Sequence, residues 1–406
     1  MKVIKKEIFD YISDNDIVEK EFAVKIGCKP SQLSDAKLGK NLNFRVLLKA
    51  VIVMNGKNYK KKLEDWCLRL DYAEGIKHAF EYASLTKNEK LLGKMLDKHK
   101  NSFGVVKECC IVYGLLYKHI RYEFPETELK DRADAIKGIK NKTLLLLIEI
   151  IKVIGLYYKK KYLRMLEDLE TIEDSIKKLS DKRELFIKEC YFIRCSEAYA
   201  PALFQLNSLD SLRQHAKRLI NTNISATLTA AGYYYMGMSY IVEDKERALQ
   251  NLQLNYEILK GRHHRSATHA LSCLNFARSY HYETLIAGEE DETIKVYNKI
   301  KLNKKITDEE KDIIKNSQSS IPFKKYYLSL EESSVENLSE SVAIFASDKK
   351  LFYANLVLQD IKKLNPNMLV IDGLLKINFY QKGENQYEKN CYHCFSDFRD
   401  FNLICC

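Results

Sequence analysis

The feature that most restricts the fold of this chain is helix-period patterning that almost nothing interrupts. From "LEDWCLRLDYAEGIKHAFEYASLTKNEKLLGKMLDK" onward, apolar residues recur three and four apart in segments of roughly 12 to 18 residues. Loops of roughly 2 to 6 residues join them, the spacing of stacked helical hairpins. Only 5 Pro and 15 Gly punctuate the 406 residues, while Leu, Ile, Lys, Glu and Tyr recur throughout. Strands and hairpins need more breakers than that, so the expected fold class is all-α. The length exceeds one ordinary core and implies two domains, or a small domain followed by a repeat array.

One hairpin is particularly readable. Tyr233, Met236, Gly237 and Tyr240 in "YYYMGMSY" occupy the W-x2-L-G-x2-Y spacing of a tetratricopeptide first helix. Gly237 would let the partner helix approach closely. In that partner, "KERALQNLQLNYEIL", Ala248, Leu249, Leu252, Tyr256 and Leu259 fall on one face. Further hairpins are read at "LSCLNFARSYHYETLIAGEEDETIKVYNKI", with Gly288 in its turn, and at "LSESVAIFASDKKLFYANLVLQDIKKL". In the latter Ala354, Val357, Leu358, Ile361 and Leu364 form a stripe before Asn365 and Pro366 stop the helix. Stacked hairpins make a superhelix whose concave face suits a peptide or a partner helix; a rigid scaffold without a small ligand is the alternative.

The first 62 residues differ. They hold thirteen lysines and Arg45 against seven acids, a net +7 of the chain's +11. Such asymmetry suits displacement of counterions from a phosphate backbone, or is a solvated lysine face. Phe9, Tyr11 and Ile12, then Phe22, Ala23, Val24 and Ile26, then Leu33 and Ala36, then Phe44, Leu47, Leu48, Val51 and Ile52 mark successive short helices. Within them, Val18–Ile26, a turn at Gly27 and a second helix from Pro30 to about Leu38 have a helix-turn-helix layout. With Leu33 and Ala36 facing inward, Ser31, Gln32, Ser34 and Lys37 point outward. Gln32 could pair with an adenine edge, and Lys29, Lys37 and Lys40 could reach phosphates; Asp35 would repel them. The alternative is a three-helix cap that seals the solenoid. The basic interval "MNGKNYKKK" marks the boundary, giving a helix-turn-helix domain at 1–56, a tetratricopeptide-like superhelix at 57–376 and a C-terminal helical extension at 377–406, a candidate dimerising element.

Other functions find little support. No export signal opens the chain, and the longest apolar stretch, Leu144 to Tyr158, is broken by Glu149 and Lys152 and falls short of the ~20 residues a bilayer requires. It reads as a core helix, and the expected location is the cytoplasm. Eleven scattered cysteines fit reduced thiols. Cys391, His393, Cys394, Cys405 and Cys406 offer a zinc pattern, but adjacent Cys405 and Cys406 would strain a four-ligand cage, and free cysteines are preferred. Cys109 and Cys110 read as core, and His263, His264 and His269 as a loop surface with no carboxylate at ligand spacing. No phosphate loop, nucleophile elbow or HExxH occurs, so neither an enzyme nor a metal or cofactor site is expected.

Together, the helix-turn-helix, "DWCLRLDYAEGIKHAFEYAS" and the hairpins ending in "YYLSLEESSVENLSESVAIFASDKKLFYANLVLQDIKKL" resemble the arbitrium receptors (AimR) of temperate Bacillus phages over about residues 1–376. The resemblance implies a homodimeric transcription regulator that binds an operator as the free protein. It further implies that a short communication peptide, taken up from the medium, occupies the repeat groove, alters DNA binding and influences the choice between lysis and lysogeny. Asn207 in "LFQLN" matches a groove asparagine of that family. Asn275 in "CLNFA" and Phe352 in "KKLFYA" fall on similar motif positions, and Tyr240 and Tyr282 join them as candidate peptide contacts. An asparagine amide both donates to and accepts from an extended backbone; helix-end or loop solvation is the alternative for each. The stretch between Asn275 and Gly288 is shorter than in those receptors, and residues 377–406 extend past their usual end.

Overall fold

The computed structural model describes residues 1–366 except 182, 183, 223, 263 and 318. The expected zinc-type residues of the tail, the C-terminal extension and His263 therefore lie outside the described residues. Among the described residues there are twenty-one α-helices and no strands, as the all-α expectation requires. The chain divides into two compact units, Met1–Gly155 with Asp174–Cys190, and Leu156–Glu173 with Tyr191 onward.

The first unit begins with α1 (Lys2–Asp14), α2 (Glu19–Lys25), α3 (Pro30–Lys37) and α4 (Phe44–Asn55). A 3-10 turn, Gly56–Asn58, leads to α5 (Tyr59–Arg69), α6 (Ala73–Leu85), α7 (Glu89–His99), α8 (Gly104–Ile120) and α9 (Leu129–Asp134). α1 buries Ile4, Ile8 and Ile12, one face at helical spacing. The four short helices do not form a core of their own. Trp66 on α5 is buried and donates to Glu7 at 2.6 Å, and Tyr72 donates to the Leu42 carbonyl at 2.7 Å. Phe44 packs 5.9 Å from Tyr82 and 4.9 Å from Phe186. Compactness thus places no division at residue 56, because cutting there would expose Trp66 and Tyr82.

α10 (Lys142–Tyr158), α11 (Tyr162–Lys177) and α12 (Leu185–Gln205) each begin in one unit and end in the other. α10 is the long apolar stretch and buries Leu144, Leu147, Ile148, Ile150, Ile151, Val153 and Leu156 as a core helix. No helix among the described residues is long and apolar enough to cross a membrane.

The second unit continues as α13 (Leu209–Ile220), α14 (Ala226–Tyr240), α15 (Lys245–Leu259), α16 (His264–Tyr280), α17 (Glu292–Lys301), α18 (Asp308–Asn316), α19 (Ile321–Glu331), α20 (Val335–Ser347) and α21 (Leu351–Leu364). Gly237 has the expected role: a Cβ there would lie 2.7 Å from Leu252 Cγ and 2.9 Å from the Ala248 carbonyl of α15. Gly232, one and a half turns earlier, does the same for α13, with Ala216 O and Ile220 N each at 2.7 Å. The stripe on α21 is buried except for Leu364, which is exposed at the end of the helix.

Helix ends follow a common rule. Lys87, Lys160, Asn207, Tyr282, Ser333 and Lys349 all adopt left-handed backbone with φ between +51° and +61°. In each case the next amide donates five residues back: Asn88 to Ala83, Lys161 to Leu156, Ser208 to Leu203, Glu283 to Arg278, Ser334 to Ser329 and Lys350 to Phe345, at 2.8–3.2 Å. These are Schellman turns built without glycine.

Candidate functional site

The outer face of α3 is one candidate. Gly27, with φ +72°, turns the chain between α2 and α3, and Pro30 starts α3, both as the spacing requires. Leu33 and Ala36 are buried, while Lys29, Ser31, Gln32, Ser34, Lys37 and Lys40 are exposed. Most of those side chains are nevertheless engaged. Gln32 Oε1 accepts from the Lys29 amide at 2.9 Å, capping the helix start, and Ser34 Oγ donates to the Pro30 carbonyl at 3.2 Å. Lys37 pairs with Glu19 and lies 5.1 Å over the Phe9 ring. Lys40 pairs with Asp35 at 3.0 Å, so the carboxylate that would repel phosphate is already neutralised. Only Lys29 and Ser31 present side chains with no partner among the described residues. Exposed ion pairs contribute about 0–1 kcal/mol, so Lys37 and Lys40 can be transferred to an incoming anion at small cost.

The end of α12 is the second candidate. Phe204 is buried there, 4.2 Å from Phe352, 5.7 Å from Tyr353 and 6.1 Å from Tyr235. Beside it the Asn207 Oδ1 and Gln205 Oε1 atoms are buried and accept no hydrogen bond. Gln205 is 2 % exposed. A buried amide oxygen without a donor costs about 1–3 kcal/mol, which a ligand N–H would recover. Gln205 was missed from sequence although it sits inside the "LFQLN" stretch; a glutamine on the last turn of an apolar helix was the available signal.

The other proposed peptide contacts are placed differently. Phe352 is interior, stacked on Phe204. Tyr240 is held between two guanidinium groups, Arg213 at 4.0 Å and Arg247 at 5.4 Å from its ring centre. Asn275 is 0 % exposed and clamps the loop after α16. Its Oδ1 accepts from the Ile286 amide at 2.8 Å, and its Nδ2 donates to Glu289 at 2.9 Å. A ligand role for Asn275 would have to displace these bonds. Tyr282 is half-exposed, with Lys301 and Lys363 at 5.1 and 5.3 Å from its ring. Both lysines bind Asp360, at 3.0 and 3.2 Å, and Tyr326 donates to the same carboxylate at 2.6 Å. Burial pulls the Lys301 ammonium below its ordinary range, and Asp360 opposes that pull.

The remaining sequence candidates stay outside these sites. Cys109 is buried, as read, and Cys110 donates to the His99 carbonyl at 3.4 Å. His264 faces Glu290 at the surface. Among the described residues no group of three or more His, Cys, Asp or Glu could hold a metal ion.

The family model described as AimR transcriptional regulator-like matches residues 60–363, which covers the helical hairpins and begins just after the basic interval. Among solved structures the chain is similar to selenomethionine phAimR at 18 % identity and TM-score 0.69, covering 92 % of this chain and 100 % of that one. It is similar to a phAimR–ligand structure at 19 % identity and TM-score 0.64, covering 80 % of this chain and 98 % of that one. No curated protein matches this chain. At such identities the structural likeness carries the fold and leaves the residue roles to the chemistry above, while the family match spans well over half of the sequence. The resemblance read from sequence therefore holds: the chain belongs to the AimR transcriptional regulator-like family.

Proposed function

We propose that this chain is a phage-encoded, homodimeric regulator in the bacterial host cytoplasm. It binds operator DNA through the outer face of α3, is controlled by a short secreted peptide bound at the end of α12, and so influences the choice between lysis and lysogeny. The observation that carries the peptide half is the pair of buried, unpartnered amide oxygens on Gln205 and Asn207. An extended peptide backbone presents the N–H donors they lack. A solved relative holding a ligand agrees with this. The DNA half rests on the exposed polar face of a helix that follows a glycine turn in the most basic part of the chain.

In a dimer, two α3 helices would meet half-sites spaced by whole turns of ~34 Å. A peptide that favours one arrangement of the repeats changes that spacing and shifts DNA affinity without touching DNA. Gel shifts with DNA from beside the chain's own gene test the reading. Binding by the free protein that weakens steeply with salt is expected; absence of such binding removes the DNA claim. The internal engagement of Gln32 and Lys37 favours a second reading, a scaffold for a partner protein with a non-functional basic cap. On that reading the double substitution Lys29→Glu/Lys40→Glu leaves function intact.

A further inference from the structure

The basic interval Met54–Lys62, read from sequence only as a boundary, forms one wall of a cleft of about 760 Å³. Asn58, Lys61 and Lys62 line it from the 3-10 turn and α5, and Lys90 and Lys94 line it from α7. The two acids on the wall are already satisfied: Asn88 donates to Glu64 at 2.6 Å and Arg69 pairs with Asp65 at 2.9 Å. Lys62 is tied to Glu7 at 2.9 Å. Lys61, Lys90 and Lys94 are exposed and have neither ion pair nor hydrogen bond among the described residues. Lys90 and Lys94 stand one helical turn apart on α7, where like charges repel with no acid between them. Lys37 and Lys40 near α3 are paired by comparison, so the unneutralised positive charge collects here.

We propose that this cleft binds closely spaced phosphate groups. Mobile ammonium groups act as point-charge donors to phosphate oxygens, and the Asn58 amide adds a neutral donor. No aromatic ring lines the cleft, so the phosphates rather than a stacked base carry the recognition. The volume suits a small phosphorylated ligand. The other source is a DNA backbone. Glu7 faces α5 while Phe9 lies under Lys37 of α3, so these two contacts use opposite sides of α1, which favours the small ligand. The proposal stands whether or not α3 reads DNA.

Calorimetry of the full chain with inorganic tripolyphosphate at low salt is the test. Saturable binding that weakens about tenfold or more in Lys61→Glu/Lys90→Glu/Lys94→Glu, but not in Lys29→Glu/Lys40→Glu, is the result expected. If tripolyphosphate does not bind, but the triple variant lowers the salt slope of duplex-DNA binding by about two to three, the cleft takes phosphates from a DNA backbone. Wild-type behaviour of the triple variant toward both probes overturns the proposal. The milder Lys90→Ala/Lys94→Ala, checked for an unchanged melting temperature, guards against loss through misfolding and should show the same ordering of effects.

Discussion

The face of α3 and the end of α12 invert the usual relation between exposure and availability. On α3 the candidate side chains are in solvent, yet Gln32, Ser34, Lys37 and Lys40 are bonded within the first 40 residues. At the end of α12 the Gln205 and Asn207 amide oxygens are shielded from water, yet nothing donates to them. Exposed bonds are cheap to exchange, because water competes for both partners. A buried oxygen without a donor is a standing cost that persists until something fills it. The comparison separates residues that a ligand can recruit from residues that call for one.

Asn275 supplies the sharpest contrast with Asn207. Its amide is buried and fully used, so Asn275→Ala strands the Ile286 amide and one Glu289 oxygen. A loss of about 2–4 kcal/mol in chemical denaturation is expected. A loss under 1 kcal/mol would show that the loop finds other partners and would leave the amide free for a ligand.

Glu184 offers a second check on what a used group is worth. Burial raises its pKa, but hydrogen bonds and charge from His78 and Lys77, the latter at 2.9 Å, prevail and hold it at about 2. A carboxyl depressed in the folded state stabilises fully above its unfolded pKa, near 4.5, and loses that contribution as pH falls toward 2. Allowing for solvent screening, the contribution is at most about 2 kcal/mol. Glu184→Gln should lower stability at pH 6 and flatten the fall between pH 4.5 and 2, measured by urea midpoints across that range. An unchanged acid profile would mean that Lys77 and His78 do not hold the carboxylate.

On α3, Gln32→Ala removes the bond to the Lys29 amide and should cost about 1 kcal/mol of stability. Ser31→Ala, one residue away and without a partner, should cost nothing measurable. If both substitutions weaken DNA binding by similar factors, Gln32 is read by DNA and not merely by its own helix.

The helices themselves were legible because their apolar spacing is local. α3 lies within a residue of where Pro30 and Leu38 place it, and Gly237 could be assigned a close approach from a motif. The turns were less legible. Lys87, Lys160, Asn207, Tyr282, Ser333 and Lys349 take the left-handed position usually marked by glycine, and no residue type announces it. Asn207 and Tyr282 therefore have a structural reason to sit where a family resemblance places ligand contacts. Asn275 could not be assigned from sequence, since its partner Glu289 comes from a loop fourteen residues on. The lysine cleft required Lys61 and Lys90, on two separate helices, to meet across space.

Asn207 holds both explanations at once, a left-handed turn residue at φ +58° with an unpartnered buried oxygen, and glycine separates them. Asn207→Gly keeps the turn and removes the amide, so the melting temperature should stay within about 2 °C. The most direct measurement is a calorimetric titration of wild type and Asn207→Gly with the short peptide encoded beside the gene. Saturable binding to wild type, weakened about tenfold or more in the variant at unchanged melting temperature, is the predicted result. Equal binding to both proteins, or none to wild type, would contradict a peptide site at the end of α12.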